Sequence, residues 1–153
     1  MKYQAFPPGT KVHTHHLGET DVLLYGSSNL AKRGKVSFPQ NLTNMPFVLP
    51  PVGSPIRKQL DAWFVKHNIR PQIKAEVSDA GLLRALGSGG RGIFAVRSAL
   101  KAEVEELRDV QQIGRCAGLS EKYYAVTIEK RLHHPGVAAI IDQAKNKLNS
   151  PRK

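Results

Sequence analysis

The chain has 153 residues, enough for one core or two small lobes sharing a sheet, and its 41% apolar and 23% charged content excludes wholesale disorder. A formal charge of +11 points toward an anionic partner, yet Lys and Arg are scattered through AKRGK (31–35), IRK (56–58), EKR (129–131) and PRK (151–153), which reads as solvated surface rather than a phosphate track. No run of 18 apolar residues marks a membrane span, MKYQAFPPGTKVHTHH has no apolar signal core, and the single Cys116 excludes an internal disulfide framework; a reducing cytoplasm is expected.

Residues 1–12, with Pro7, Pro8 and Gly9, read as an irregular entry. Val22 to Tyr25 reads as a strand, and Gly26-Ser27-Ser28 as a turn capping a short helix from Asn29 to Arg33 that Gly34 stops. A loop anchored by Phe38 and Leu42 follows, then a strand at Phe47 to Leu49 that Pro50 and Pro51 end. The stretch 54–96 organises the chain. Ser54 is a helix cap and Pro55 suits the first turn, where no backbone donor is missed. Ile56, Leu60, Trp63, Phe64 and His67 then share one face, Asn68 takes the left-handed conformation that ends the helix, and Pro71 forbids its continuation. Ile73, Ala75 and Val77 alternate as a strand. Ser78 or Asp79 caps a helix through Leu82, Leu83 and Leu86, closed by Gly87, and Ile93 to Val96 has the apolar run of a buried parallel strand.

After Val96, RSALKAEVEEL reads as a helix with Glu103, Glu105 and Glu106 outward. Val110 to Ile113 is a strand, Gly114 to Ser120 a connection, and 122–131 a strand with Tyr124, Val126 and Ile128 on one face. The last helix has Pro135 in its first turn and Val137, Ile140, Ile141, Ala144 and Leu148 on one side. Strands alternating with helices make the fold class α/β, a mainly parallel mixed sheet flanked by helices.

Gly87-Ser88-Gly89-Gly90-Arg91-Gly92 matches the letters of the dinucleotide fingerprint, but these glycines follow a helix and lead into a strand, the reverse of the order that brings a pyrophosphate to a helix N-terminus. A helix stop and tight turn explain them. His13 and His15 share a strand face beside His16, with His133 and His134 far along the chain; no acidic or cysteine partner stands at a metal-site spacing, so no metal and no cofactor are expected. No nucleophile elbow, carboxylate pair or Ser-His-Asp set can be assembled, so no enzyme is expected. Ser54 and Ser78 read as helix caps whose neighbouring backbone N–H groups suit a small polar or anionic ligand.

In this order, LPPVGS, HNIRP, EVSDAGLL and GSGGRGIFAV resemble the second subdomain of a LysR-type transcriptional regulator's effector-binding domain, over roughly residues 13–148. The flanks HHLGETDVLLYGS, FPQNL and IGRCAGLSEKYYAVTIEKRLHHPGVAAI most resemble the branch that regulates sodium/proton antiporter genes. Arg97 stands where the family has a proline after the glycine-rich strand. The resemblance implies a type II periplasmic-binding-protein-like lobe, with 1–19 an N-terminal remnant and hinge strand, 20–115 the second subdomain, and 116–150 a crossover strand and C-terminal helix of the first. It implies an effector cleft at Pro50, Pro51, Gly53, Ser54, Ser78 and Asp79, a small polar or ionic effector, and self-association through the effector domain. It implies DNA contact only through a winged helix-turn-helix absent from these residues, and the faces bearing Tyr124 and Ile140 are expected to lie uncovered. A stand-alone small-molecule-binding α/β domain and a basic nucleic-acid-binding protein are the alternatives.

Overall fold

The computed structural model describes residues 7–128 and 135–148. The chain divides into two compact units, one of residues 20–121 and one formed by the segments 1–19 and 122–153. Five strands are present among the described residues, β1 (His13–Ser27), β2 (Pro46–Leu49), β3 (Gln72–Glu76), β4 (Phe94–Arg97) and β5 (Val110–Thr127). The helices are α1 (Ser28–Lys35), α2 (Pro55–Lys66), α3 (Ala80–Ser88), α4 (Lys101–Glu105) and α5 (Pro135–Leu148). β1 and β5 each run from one unit into the other.

In the unit 20–121, β4, β1 and β5 lie in that order in one sheet, and β2 pairs in parallel with β3. A parallel bridge between Phe47 and Ile93 joins the two sheets, with Ile93 donating to the Pro46 carbonyl (2.8 Å) and Val48 to the Ile93 carbonyl (2.9 Å). β4 was expected to be a parallel strand throughout; it is parallel toward β2 but antiparallel toward β1, where Val22 faces Arg97 and Tyr25 faces Phe94.

Both sheet faces are covered, which accounts for the unbroken apolar run Val22 to Tyr25. Val22, Leu24, Phe47 and Leu49 pack with Leu30 and Ala31 of α1 and Leu60, Trp63 and Phe64 of α2. Leu23, Tyr25, Val48, Phe94 and Val96 pack on the other side with Leu83 of α3 and Val104 of α4. The capping reading of α2 holds in detail: the Ser54 hydroxyl accepts from the Arg57 N–H (3.4 Å), and Asn68 ends the helix at φ +54°.

Several local expectations change. α1 is capped by Ser27 and runs through Gly34 to Lys35; Gly34 is buried so close to Ile113 that a Cβ would stand 2.7 Å from its side chain, which is why glycine sits inside the helix. The segment from Arg97 begins as a 3-10 turn (Ser98–Leu100) before α4, and Glu105 is not merely outward, since the buried Tyr25 hydroxyl donates to it at 3.0 Å. Burial and then the bond to Glu105 push the Tyr25 phenol well above its usual range. Gly114 to Ser120 is part of the 18-residue strand β5 rather than a connection. Glycine is required at 114 because the Phe38 ring lies where a Cβ would be, at 2.6 Å, and Gly118 bends the strand at φ +83°.

In the other unit, Tyr124, Val126 and Ile128 are exposed, as are Val137 and Ile140 of α5, whereas Ile141 is buried.

Cys116, within β5, is fully buried, and burial pushes its thiol up to about 12. The folded protein therefore holds a proton that the unfolded chain releases from about pH 8.5. This contribution is intact below that value and is lost as pH rises toward 12. Chemical denaturation at pH 7.5 and pH 10 is expected to show a lower midpoint at pH 10, with a shallower decline in Cys116→Ala; equal slopes in both proteins would contradict it.

Candidate functional site

Parallel pairing sets the site's position. Leu49 is in register with Glu76, and the Val77 N–H donates to the Leu49 carbonyl at 2.9 Å, so the chain leaves β2 and β3 side by side at one sheet edge. Pro50, Pro51, Gly53 and Ser54 form the first exit, and Ser78 and Asp79 the second. Gly53 takes φ +92° and the Ser54 N–H donates to the Pro51 carbonyl (3.2 Å), a tight turn that delivers Ser54 to the start of α2. The six residues assigned from the resemblance thus stand at one edge of one unit.

The cap of α3 is Asp79, not Ser78. Its carboxylate accepts from the Leu82 N–H at 2.7 Å, while Ser78 is exposed one residue too early. A carboxylate there complements the positive end of the helix and occupies one of its free donors. This removes the pair of serine caps expected from the sequence and makes the second exit unsuited to a bare anion.

Arg57 joins the exits. Its Nη1 donates to the Pro50 carbonyl (2.9 Å) and to Glu76 (3.0 Å), and its Nε donates to Asp61 (2.9 Å). The arginine side chain is 5% exposed, against 48% for Asp61 and 42% for Glu76. Burial acts to lower the guanidinium pKa, but the bonds to Asp61 and Glu76 outweigh it and the net shift is upward. One buried cation therefore ties the β2 exit, α2 and the end of β3 together. In the sequence Arg57 reads as one of several scattered surface charges. Its i,i+4 spacing to Asp61, between Ile56 and Leu60 on the apolar side, was the available signal.

A third exit lies at the same edge, because β4 runs parallel to β2. The Ser98 hydroxyl accepts from the Asp21 N–H (3.0 Å), Asp21 faces Arg115 (3.6 Å), and Arg97 pairs with Glu121. The Thr20 hydroxyl beside them is buried and has no hydrogen-bond partner among the described residues. Of these only Arg97 stands out in the sequence, as a departure from the family's proline, and nothing there points to its pairing with Glu121. They are dispersed along the chain, and only strand pairing gathers them.

The histidines do other things. The His15 ring bonds the Thr127 hydroxyl (2.8 Å), and His16 meets Tyr124 edge-on at 5.3 Å between ring centroids. Among the described residues no group of three or more His, Cys, Asp or Glu is placed to hold a metal. His133 and His134 lie outside the described residues. No helix of the described residues is long and apolar enough to cross a membrane.

The unit 20–121 is thus an α/β lobe that gathers three strand exits at one edge of its sheets, two of them joined by a buried arginine. The chain belongs to the LysR substrate binding domain family, whose model matches residues 4–149. It is 28% identical over 114 residues to the transcriptional activator protein NhaR of Escherichia coli K12, covering 74% of this chain and 38% of that protein. The chain thus spans well under half the length of the curated relatives it matches. Among solved structures, HinK, a LysR family regulator from Pseudomonas aeruginosa, matches with a TM-score of 0.68 at 16% identity, over 95% of this chain and 50% of that one. The Synechocystis CcmR regulatory domain, solved with 2-PG, matches with a TM-score of 0.65 at 11% identity, over 95% and 71%. These likenesses show the fold, that of the regulatory domains of LysR-type regulators.

Proposed function

We propose that the chain is the effector-sensing part of a LysR-type transcriptional activator of sodium/proton antiporter genes, acting in the cytoplasm as a sensor rather than a catalyst. The observation that carries the reading is the meeting of the β2 and β3 exits at one edge, held by Arg57, in a chain of this family. The identity to NhaR supports the antiporter branch.

In this reading residues 20–115 are the second effector subdomain, and the remainder of β5 with α5 belongs to the first. Pro50, Pro51, Gly53, Ser54, Ser78 and Asp79 contact a small polar or ionic effector. Binding does its work by favouring one arrangement of a DNA-bound oligomer through differential affinity. Recognition of DNA falls to a winged helix-turn-helix, which none of the described elements forms, and the exposed Tyr124, Val126 and Ile128 support self-association of the effector domain. Disrupting the gene for this chain in its own host, and measuring sodium/proton antiporter transcripts after a step in sodium chloride, is expected to abolish most of the induction. Unchanged induction would remove the antiporter assignment.

A further inference from the structure

We propose that the unit 20–121 carries a second small-molecule site, lined by none of the exit-loop residues, which takes a monoanion with an apolar body such as a medium-chain carboxylate. A cavity of about 440 Å³ is lined by Val48, Lys74, Ala75, Leu86, Gly90 and Arg91. That volume is within the range of small-molecule pockets. Its floor is apolar and continuous with the core: Val48 is fully buried, and Ala75 and Leu86 pack against the same cluster.

Its rim is cationic. Lys74 comes from β3 and Arg91 from the turn between α3 and β4, and neither has an acidic partner among the described residues. Glu76, two residues along β3, is engaged by Arg57. The glycine-rich run rejected as a nucleotide motif acquires a role here. Gly90 takes φ +77°, a conformation other residues resist, and the Arg91 N–H donates to the Leu86 carbonyl at 3.1 Å. That turn is set by backbone geometry and carries the arginine to the mouth of the cavity.

Arg91 precedes β4, at the edge where the parallel strands begin, whereas the exits of β2, β3 and β4 lie at the edge where they end. The cavity is therefore separate from the effector cleft. A neutral ligand would leave two cations unused, and a bare anion would leave the apolar floor in water. A molecule with one carboxylate and a short hydrocarbon tail meets both, with charge-assisted hydrogen bonds at the rim.

The test is amide NMR of the isotope-labelled chain titrated with hexanoate, hexan-1-ol or acetate at matched ionic strength. Hexanoate is expected to move the amides of Lys74, Ala75, Leu86 and Arg91 saturably and to leave Ser54 and Asp79 in place. The double variant Lys74→Ala/Arg91→Ala, altered only at exposed side chains, should weaken this binding about tenfold or more. The proposal is overturned by the absence of saturable movement, by equal binding of hexan-1-ol or acetate, by movement at the exit loops instead, or by undiminished binding to the double variant.

Discussion

Replacing Arg57 by methionine is expected to destabilise the unit 20–121 by about 2–4 kcal/mol. Methionine keeps an apolar stem in the same space, so the loss falls on the guanidinium. Three hydrogen bonds of 2.9–3.0 Å disappear, and the Pro50 carbonyl is left without its donor. Asp61 and Glu76 are each nearly half exposed and regain water, which keeps the cost below that of a fully buried broken pair. Arg57→Lys should fall between the two, because a single ammonium cannot reproduce the fork that reaches three partners. Urea denaturation measures the effect; a change under about 0.5 kcal/mol would mean that the brace contributes nothing to the fold.

Gly87→Ala is expected to cost about 2 kcal/mol despite alanine's advantage in a helix. A Cβ at this position would stand 2.0 Å from Cδ1 of Phe94 and 2.6 Å from its Cγ. Phe94 is fully buried and packs against the Tyr25 ring at 6.3 Å between centroids, so it has nowhere to retreat without disturbing the core. The last turn of α3 must lift instead. Gly81→Ala in the same helix is the control: only the Asp79 carboxylate is near, at 3.2 Å, and stability should change by less than about 1 kcal/mol. Equal effects at the two glycines would show that helix preference, not the Phe94 contact, governs position 87.

What local chemistry alone dictates was open to reading. The start of α2 at Ser54-Pro55 and its end at Asn68 depend on side chains and dihedrals within a few residues of each other, and both are present as expected. The same holds for the strand cores Val22 to Tyr25 and Phe47 to Leu49, where apolar runs bounded by turn residues leave little choice. The family resemblance rested on the order of such elements, so it was legible too.

Where a residue's role depends on something distant in the chain, the sequence was silent or misleading. Gly114 to Gly118 carries the letters of a loop, and it is strand because β5 pairs with β1; glycine stands at 114 because the Phe38 ring, seventy-six residues earlier, fills the space a side chain would need. Arg57 has the letters of a surface charge, and it is buried because parallel pairing of β2 with β3 brings the Pro50 carbonyl and Glu76 within its reach. Ser78 and Asp79 were equal candidates to cap α3 until the exact end of β3 put the aspartate, not the serine, at the first turn. Local chemistry sets the start and end of α2, the strand cores and the family resemblance, whereas the pairing of distant segments brings three exits to one edge and a buried guanidinium to two of them. The physical reason is range: capping and periodicity act over a turn or two, whereas burial and ion pairing depend on which segments the sheet sets side by side.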